Sequence, residues 1–134
     1  MDRRLRSDAG EAVLEFALLA PILLLILASI LETGRVFDAW VVVHNAAREG
    51  ARAGVVAAPA VDVAATAQQA AERYLAVGLG ARGDVAATLV EPPVVTAEAV
   101  AVTARADVAP YTPLGRAVVS DTVPVRASAT MRRQ

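Results

Sequence analysis

Cysteine and lysine are both absent, and the chain holds a single histidine, a single tryptophan, two tyrosines and two phenylalanines. Without Cys there is no disulfide scaffold, no Cys-ligated zinc, no iron–sulfur cluster and no thiol catalysis. One His and no acidic cluster leave no metal-ligand set, so neither a metal nor a cofactor is expected. Excess charge of either sign is missing too: 13 basic residues, all Arg, stand against 14 acidic ones, for a formal net charge of -1. That balance argues against a nucleic-acid binder. Internal repeats, low-complexity linkers and N-glycosylation sequons are also lacking. A length of 134 residues allows one small domain and an accessory segment.

What the chain has in excess is small apolar side chains: 56% of residues are hydrophobic and only 4% aromatic, with Ala and Val carrying the surplus. The apolar residues are concentrated. From Phe16 to Leu31 no residue is charged. As a helix these positions span roughly 24 Å at 1.5 Å per residue, against a hydrocarbon core of about 30 Å. Extending back to Glu11 gives roughly 31 Å and brings Glu11 and Glu15 to the membrane edge. A run apolar on all faces needs either lipid or a large core around it, and the remaining residues cannot supply that core. Membrane insertion is therefore the expectation, with Pro21 inside the span. Arg3, Arg4 and Arg6 precede the span, while Glu32, Arg35 and Asp38 after it are mixed. The positive-inside rule places the N-terminus in the cytoplasm and the rest of the chain beyond about Leu31 outside.

A secretory signal peptide removed whole does not fit. Signal peptidase needs small residues at the first and third positions before the cut. Ala28-Ser29-Ile30 fails at Ile30, and Leu31-Glu32-Thr33 fails at Leu31 and the acid. A different processing site stands at Gly10, in Gly10-Glu11-Ala12-Val13-Leu14-Glu15-Phe16. Gly directly before an apolar helix, with Glu five residues on and a short Arg-rich segment ahead, is the layout of a type IV prepilin leader. Gly without a side chain lets an active site reach the backbone. A carboxylate at the end of an apolar span is costly unless it gains a partner. For Glu15 that partner is the α-amino group that cleavage would leave on Glu11 of a neighbouring subunit. The alternative is that Glu15 snorkels to the head groups.

The stretch from Gly10 to Val55 resembles the TadE-like family of the tight-adherence (Tad/Flp) pilus system. The resemblance rests on Glu15-Phe16-Ala17-Leu18, Pro21, the Leu/Ile run, Glu32-Thr33-Gly34-Arg35, and the string Asn45-Ala46-Ala47-Arg48-Glu49-Gly50-Ala51-Arg52. The last string is the most specific part. Glu11 stands where many type IV pilins carry Phe. The resemblance implies a type IV pilin-like subunit: cut between Gly10 and Glu11 by a prepilin peptidase, held in the bacterial inner membrane, and assembled through Glu15 and Phe16 with other pilin or pseudopilin subunits on a pilus assembly platform. It implies no enzyme activity and no small-molecule substrate.

Read by periodicity, residues 1–10 form a polar leader, 11–58 one long helix, and 59–134 a small head. In the outer half of the helix Val36, Trp40, Val43, Ala47, Ala51 and Gly54 recur at spacings of three and four, an apolar stripe. Glu32–Arg35 and Arg35–Asp38 are spaced as i,i+3 ion pairs. Trp40 suits either a membrane interface or the core of the outer domain. Ala57-Ala58-Pro59 ends the helix; Asp62 is a candidate N-cap for a second, shorter one that stops near Gly78. The period then changes to two. Val100 to Val108 and Val123 to Met131 alternate cleanly, and Asp84–Val90 is a weaker third strand. The class is α+β, with a small antiparallel sheet of about three strands covered by the outer half of the first helix.

Two apparent motifs carry nothing. Gly78-Leu79-Gly80-Ala81-Arg82-Gly83 matches the dinucleotide fingerprint in letters only, because it follows a helix and leads into a strand. His44 has no Ser or carboxylate pair in a catalytic array. Arg132-Arg133 reads as a solvated tail. Two functional classes follow: a pilin-like structural subunit, and an unprocessed single-pass anchor whose outer domain binds an envelope partner.

Overall fold

The computed structural model describes the backbone of residues 2–58, 61–119 and 121–133, with their side chains except those of residues 2–9 and Leu114. Helix α1 runs from Asp2 to Val56 without a break. The segment expected as a separate polar leader is therefore continuous with the helix. The side chains of Arg3, Arg4 and Arg6, and Pro59, lie outside the described residues. Between Glu11 and Thr33 there is no glycine to interrupt the helix, and α1 continues through Pro21. Proline cannot donate to the carbonyl of Ala17, a loss that membrane helices tolerate. Ser29 and Thr33 turn their hydroxyls back on the helix, donating to the carbonyls of Leu25 at 2.8 Å and Ser29 at 2.9 Å. Neither hydroxyl is then left bare in an apolar surrounding.

Helix α2, Val63–Leu79, starts where the cap residue predicts. The Asp62 carboxylate accepts from the backbone N–H of Ala64 at 2.9 Å and of Ala65 at 3.1 Å. Ala67, Ala71, Leu75 and Leu79 form its buried stripe, each one helical turn from the last. Four strands follow: β1 Val85–Val90, β2 Val94–Val95, β3 Ala99–Val108 and β4 Val123–Arg132, with the short helix α3, Pro113–Val118, between the last two. All pairings are antiparallel. Long β3 is central. β4 lies along one side of it, while β1 and then β2 lie end to end along the other. Glu91-Pro92-Pro93 separates β1 from β2, and the two prolines remove the N–H groups that a continuous strand would need.

The sheet buries one face. Val100, Val102, Ala104, Ala106 and Val108 of β3 are buried, as are Val125 and Ala127 of β4. They pack against Ala39, Val43, Ala46, Ala47 and Ala51 of α1 and the buried stripe of α2. The helical stripe thus lies slightly to one side of the expected one. Trp40 is 42% exposed and stands at the edge of the core, not within it. Its ring stacks between Phe37 and His44, with centroids 5.7 and 5.4 Å away. The other face of the sheet is polar. There Arg105 and Arg126 sit directly opposite each other, an unfavourable like-charge pairing. Each has its own acid: Arg105 bonds Asp107 at 3.0 Å, and Arg126 reaches Glu91 at 2.8 Å. The C-terminal arginines are not a free tail through residue 133: Arg132 ends β4, and the Arg133 N–H donates to the Glu98 carbonyl at 2.8 Å.

Alanine and glycine set the layer spacing. A Cβ added at Gly50 would lie 2.8 Å from the Ala67 carbonyl oxygen, 2.9 Å from the Ala71 Cβ and 3.2 Å from a Val102 methyl. At Gly54 it would meet Val100 at 2.9 Å and Ala67 at 3.0 Å. α1, α2 and β3 therefore meet at distances that exclude any side chain at position 50. Gly50→Val is expected to destabilise the head by about 1–3 kcal/mol, the usual cost of overpacking. Thermal unfolding of the full chain in detergent, followed by circular dichroism, checks this; an unchanged midpoint would mean the three elements can part without loss.

Candidate functional site

The apolar half of α1 has no protein around it. Val13, Leu14, Phe16, Leu18 and the whole run from Ile22 to Leu27 are exposed, and so are Ile30 and Leu31. α1 supplies, from Gly10 to Val56, the one helix among the described residues long and apolar enough to cross a membrane, and its most apolar window is entirely unburied. A continuous apolar surface of this kind in a soluble monomer would be an aggregation site; in lipid it is at rest. Gly10, Glu11, Glu15 and Phe16 all lie exposed on this shaft, and a Cβ at Gly10 would touch nothing within 4 Å.

At the other end the head is fastened to the shaft by charge. Asp84, buried at 8% exposure just before β1, accepts from Arg82 at 2.9 Å and from Arg35 of α1 at 2.7 Å. Arg82 also bonds Asp38 of α1. Glu32 accepts the backbone N–H groups of Tyr111 at 2.9 Å and Thr112 at 3.3 Å. Arg35 lies over the Tyr111 ring, 4.4 Å from its centroid. Glu32, Arg35 and Asp38 therefore do not pair along the helix, as their spacing suggests. Each is spent on the head, on groups 44 to 80 positions away in sequence. The reason is geometric: these three positions share a face one helical turn apart, and that face looks at the head. The Arg82 guanidinium, and after it Arg35, holds the Asp84 carboxyl far below the usual carboxylate range despite burial, and Asp84 in turn raises Arg82.

The string from Asn45 to Arg52 divides by face. Ala46, Ala47, Gly50 and Ala51 are buried in the layer contact. Glu49 and Arg52 pair on the outside, through two hydrogen bonds of 2.6 and 2.9 Å, and Arg48 is exposed. Asn45 is half-buried. So the structure does not bring the candidate residues to one place. Gly10 to Phe16 lie at one end of the shaft and Asn45 to Arg52 far along it. The clasp around Asp84 lies between and was not foreseen: nothing in the spacing of residues 35, 82 and 84 links them before the chain is folded.

This helix, from its bare apolar run through the clasp to the small-residue string, is what the comparison with known families matches. Residues 10–52 are similar to the TadE-like family. The matching family model is described as TadE-like protein and covers about a third of the chain, all of it within α1. No curated protein and no solved structure matches the chain. The matched segment thus contains the shaft, the clasp residues Glu32, Arg35 and Asp38, and most of the α1 side of the head contact, while Gly54, Val55, α2 and the sheet lie beyond it.

The pH dependence of stability follows from Asp84. Its pKa is depressed in the folded state, so it contributes stability that is complete above the ordinary carboxylate value near 4 and is lost as pH falls below it. Asp84→Asn removes this contribution. The variant is expected to lose about 1–3 kcal/mol at pH 7, less than a fully buried pair because Arg35 and Arg82 keep some solvent and Arg82 keeps Asp38. Below pH 4 its unfolding midpoint should depend less on pH than that of the unaltered chain. Parallel acid limbs in the two proteins would remove Asp84 as the cause.

Proposed function

We propose that the chain is a minor pilin or pseudopilin of a Tad/Flp-type pilus or a related secretion machine. The observation that carries this reading is the bare apolar shaft in a TadE-like helix, with Gly10, Glu11 and Glu15 at its start and a compact head clasped to its far end. The shaft rests in the inner membrane with the head outside, is cut after Gly10 by a prepilin peptidase, and then joins the helices of other subunits on the assembly platform. Moving apolar side chains from lipid into protein contacts gives little drive of its own, since lipid is as apolar as leucine. Register and specificity then fall to Glu15 and the new amino group on a neighbour's Glu11. Phe16 beside it is part of the same contact surface.

The second reading is an unprocessed anchor whose head binds an envelope partner. It is favoured by one feature, the continuity of α1 through Gly10, since a peptidase needs the backbone there in an open conformation. N-terminal mass measurement on the mature protein separates the two. Loss of residues 1–10 in cells with a working prepilin peptidase supports the pilin; an intact N-terminus supports the anchor. Gly10→Leu should block the cut. Glu15→Val should leave the cut in place and strongly reduce incorporation into sheared pili, and normal incorporation of that variant would remove the assigned role of Glu15.

A further inference from the structure

We infer that the base of the head is a foot that rests in the outer head-group layer of the bilayer, formed by Tyr111, α3 and the Phe37–Trp40 edge of the shaft. The inference rests on reading α1 as membrane-spanning and adds a second lipid contact to it.

The uncharged span is shorter than the hydrocarbon layer. The uncharged run from Phe16 to Leu31 measures roughly 24 Å, and the hydrocarbon layer about 30 Å. With Glu15 at the inner boundary, the outer boundary falls about one helical turn past Leu31, beside Glu32 and Arg35. The head begins there. α3 sits against the shaft at that level: Val118 and Val119 line one crevice with Ala28, Ser29 and Glu32. Ala28 and Ser29 belong to the apolar run itself, so the head overlaps the span.

The head exposes apolar and aromatic side chains at that level. Val118 is 77% exposed, Tyr111 71% and Phe37 61%. Trp40 follows Phe37 one turn on, and the start of β4, Val123 and Pro124, borders both. Arg116 of α3 is exposed, with its Nε donating to the Pro110 carbonyl at 3.4 Å. Aromatics with short aliphatics and an arginine are the composition that favours a membrane interface. Both crevices reach the shaft at Thr33, and the α3 one extends to Ala28 and Ser29 of the apolar run.

Charged groups close to hydrocarbon need partners. Glu32 is capped by two backbone N–H groups, and Arg35 is paired with Asp84 and covered by the Tyr111 ring. The shaft thus crosses the boundary with its first two charges already neutralised by the head. The foot supplies the missing length of the span and limits the tilt of the shaft, since tilting would lift one side of it out of the interface.

The absence of native Cys makes the test clean. Full-length protein carrying Val118→Cys, Leu24→Cys or Glu98→Cys is labelled with an environment-sensitive dye. It is then reconstituted into phosphatidylcholine–phosphatidylglycerol vesicles containing lipids brominated near the head group or deep in the chain. The expected result is a blue shift at position 118 with stronger quenching by the shallow bromines, the reverse depth preference at 24, and no quenching at 98. If the label at 24 is quenched and that at 118 is as unquenched as that at 98, the foot is overturned and the span stands. If neither 24 nor 118 is quenched, the membrane-spanning reading fails and takes the foot with it. A blue shift at 118 without quenching would mean that another copy of the chain covers α3, and would also overturn the proposal. The fluorescence of Trp40, the sole tryptophan, reads the same boundary without substitution and should be quenched by the shallow bromines.

Discussion

The fold depends on how closely α1 can approach its neighbours. A three-column sheet of alanine and valine offers little apolar area per residue, and such a sheet is marginal unless a helix covers it. Covering it works here because the facing helix is equally small-sided. Ala39, Ala46, Ala47, Gly50, Ala51 and Gly54 let backbone and short side chains meet in place of long ones. Dispersion falls off steeply with distance, so many short contacts at close range replace a few large ones. The composition that first looks like a poor core, rich in alanine and poor in aromatics, is suited to a head built on one side of a rod.

The rod changes character along its length, and the clasp marks the change. Below it the large apolar side chains of α1 from Val13 to Leu31 are exposed; above it the small residues face the sheet. Glu32, Arg35 and Asp38 occupy the turns between, and each is engaged by the head. Their contacts come from two separate segments: the turn before β1, and Tyr111–Thr112 just ahead of α3. A charge cluster at this height therefore does two things. It keeps ionised groups satisfied beside a poorly polar surrounding, and it sets the angle at which the head leaves the shaft.

Much of this is legible before folding, and the illegible parts have common causes. The long helix is declared by an uninterrupted apolar run and then by a three-four spacing. α2 is declared by Asp62, and β3 and β4 by strict alternation over ten residues each. β2 and α3 escape because two and six residues are too few for any period to show. Trp40 is ambiguous because it lies on the flank of the helical stripe, where a shift of a few tens of degrees decides core or surface. The clasp escapes for a different reason. Ion pairs along a helix can be read from spacing, but when a competing partner arrives from across the fold, the better-buried contact wins, and no local pattern announces it.

The alignment of the strands with the shaft has a mechanical consequence. β4 begins beside Thr33 to Trp40, and its far end, opposite the start of β3, lies near Gly54. Strands and rod thus run side by side over the height of the head. A force drawn along the rod does not peel the sheet away one rung at a time. It must drag every interlocked turn past the sheet together, which is the geometry of shear, in which load is shared by many contacts in parallel. A protein of this build would resist extraction by its stem far better than it would resist sideways prying at the sheet.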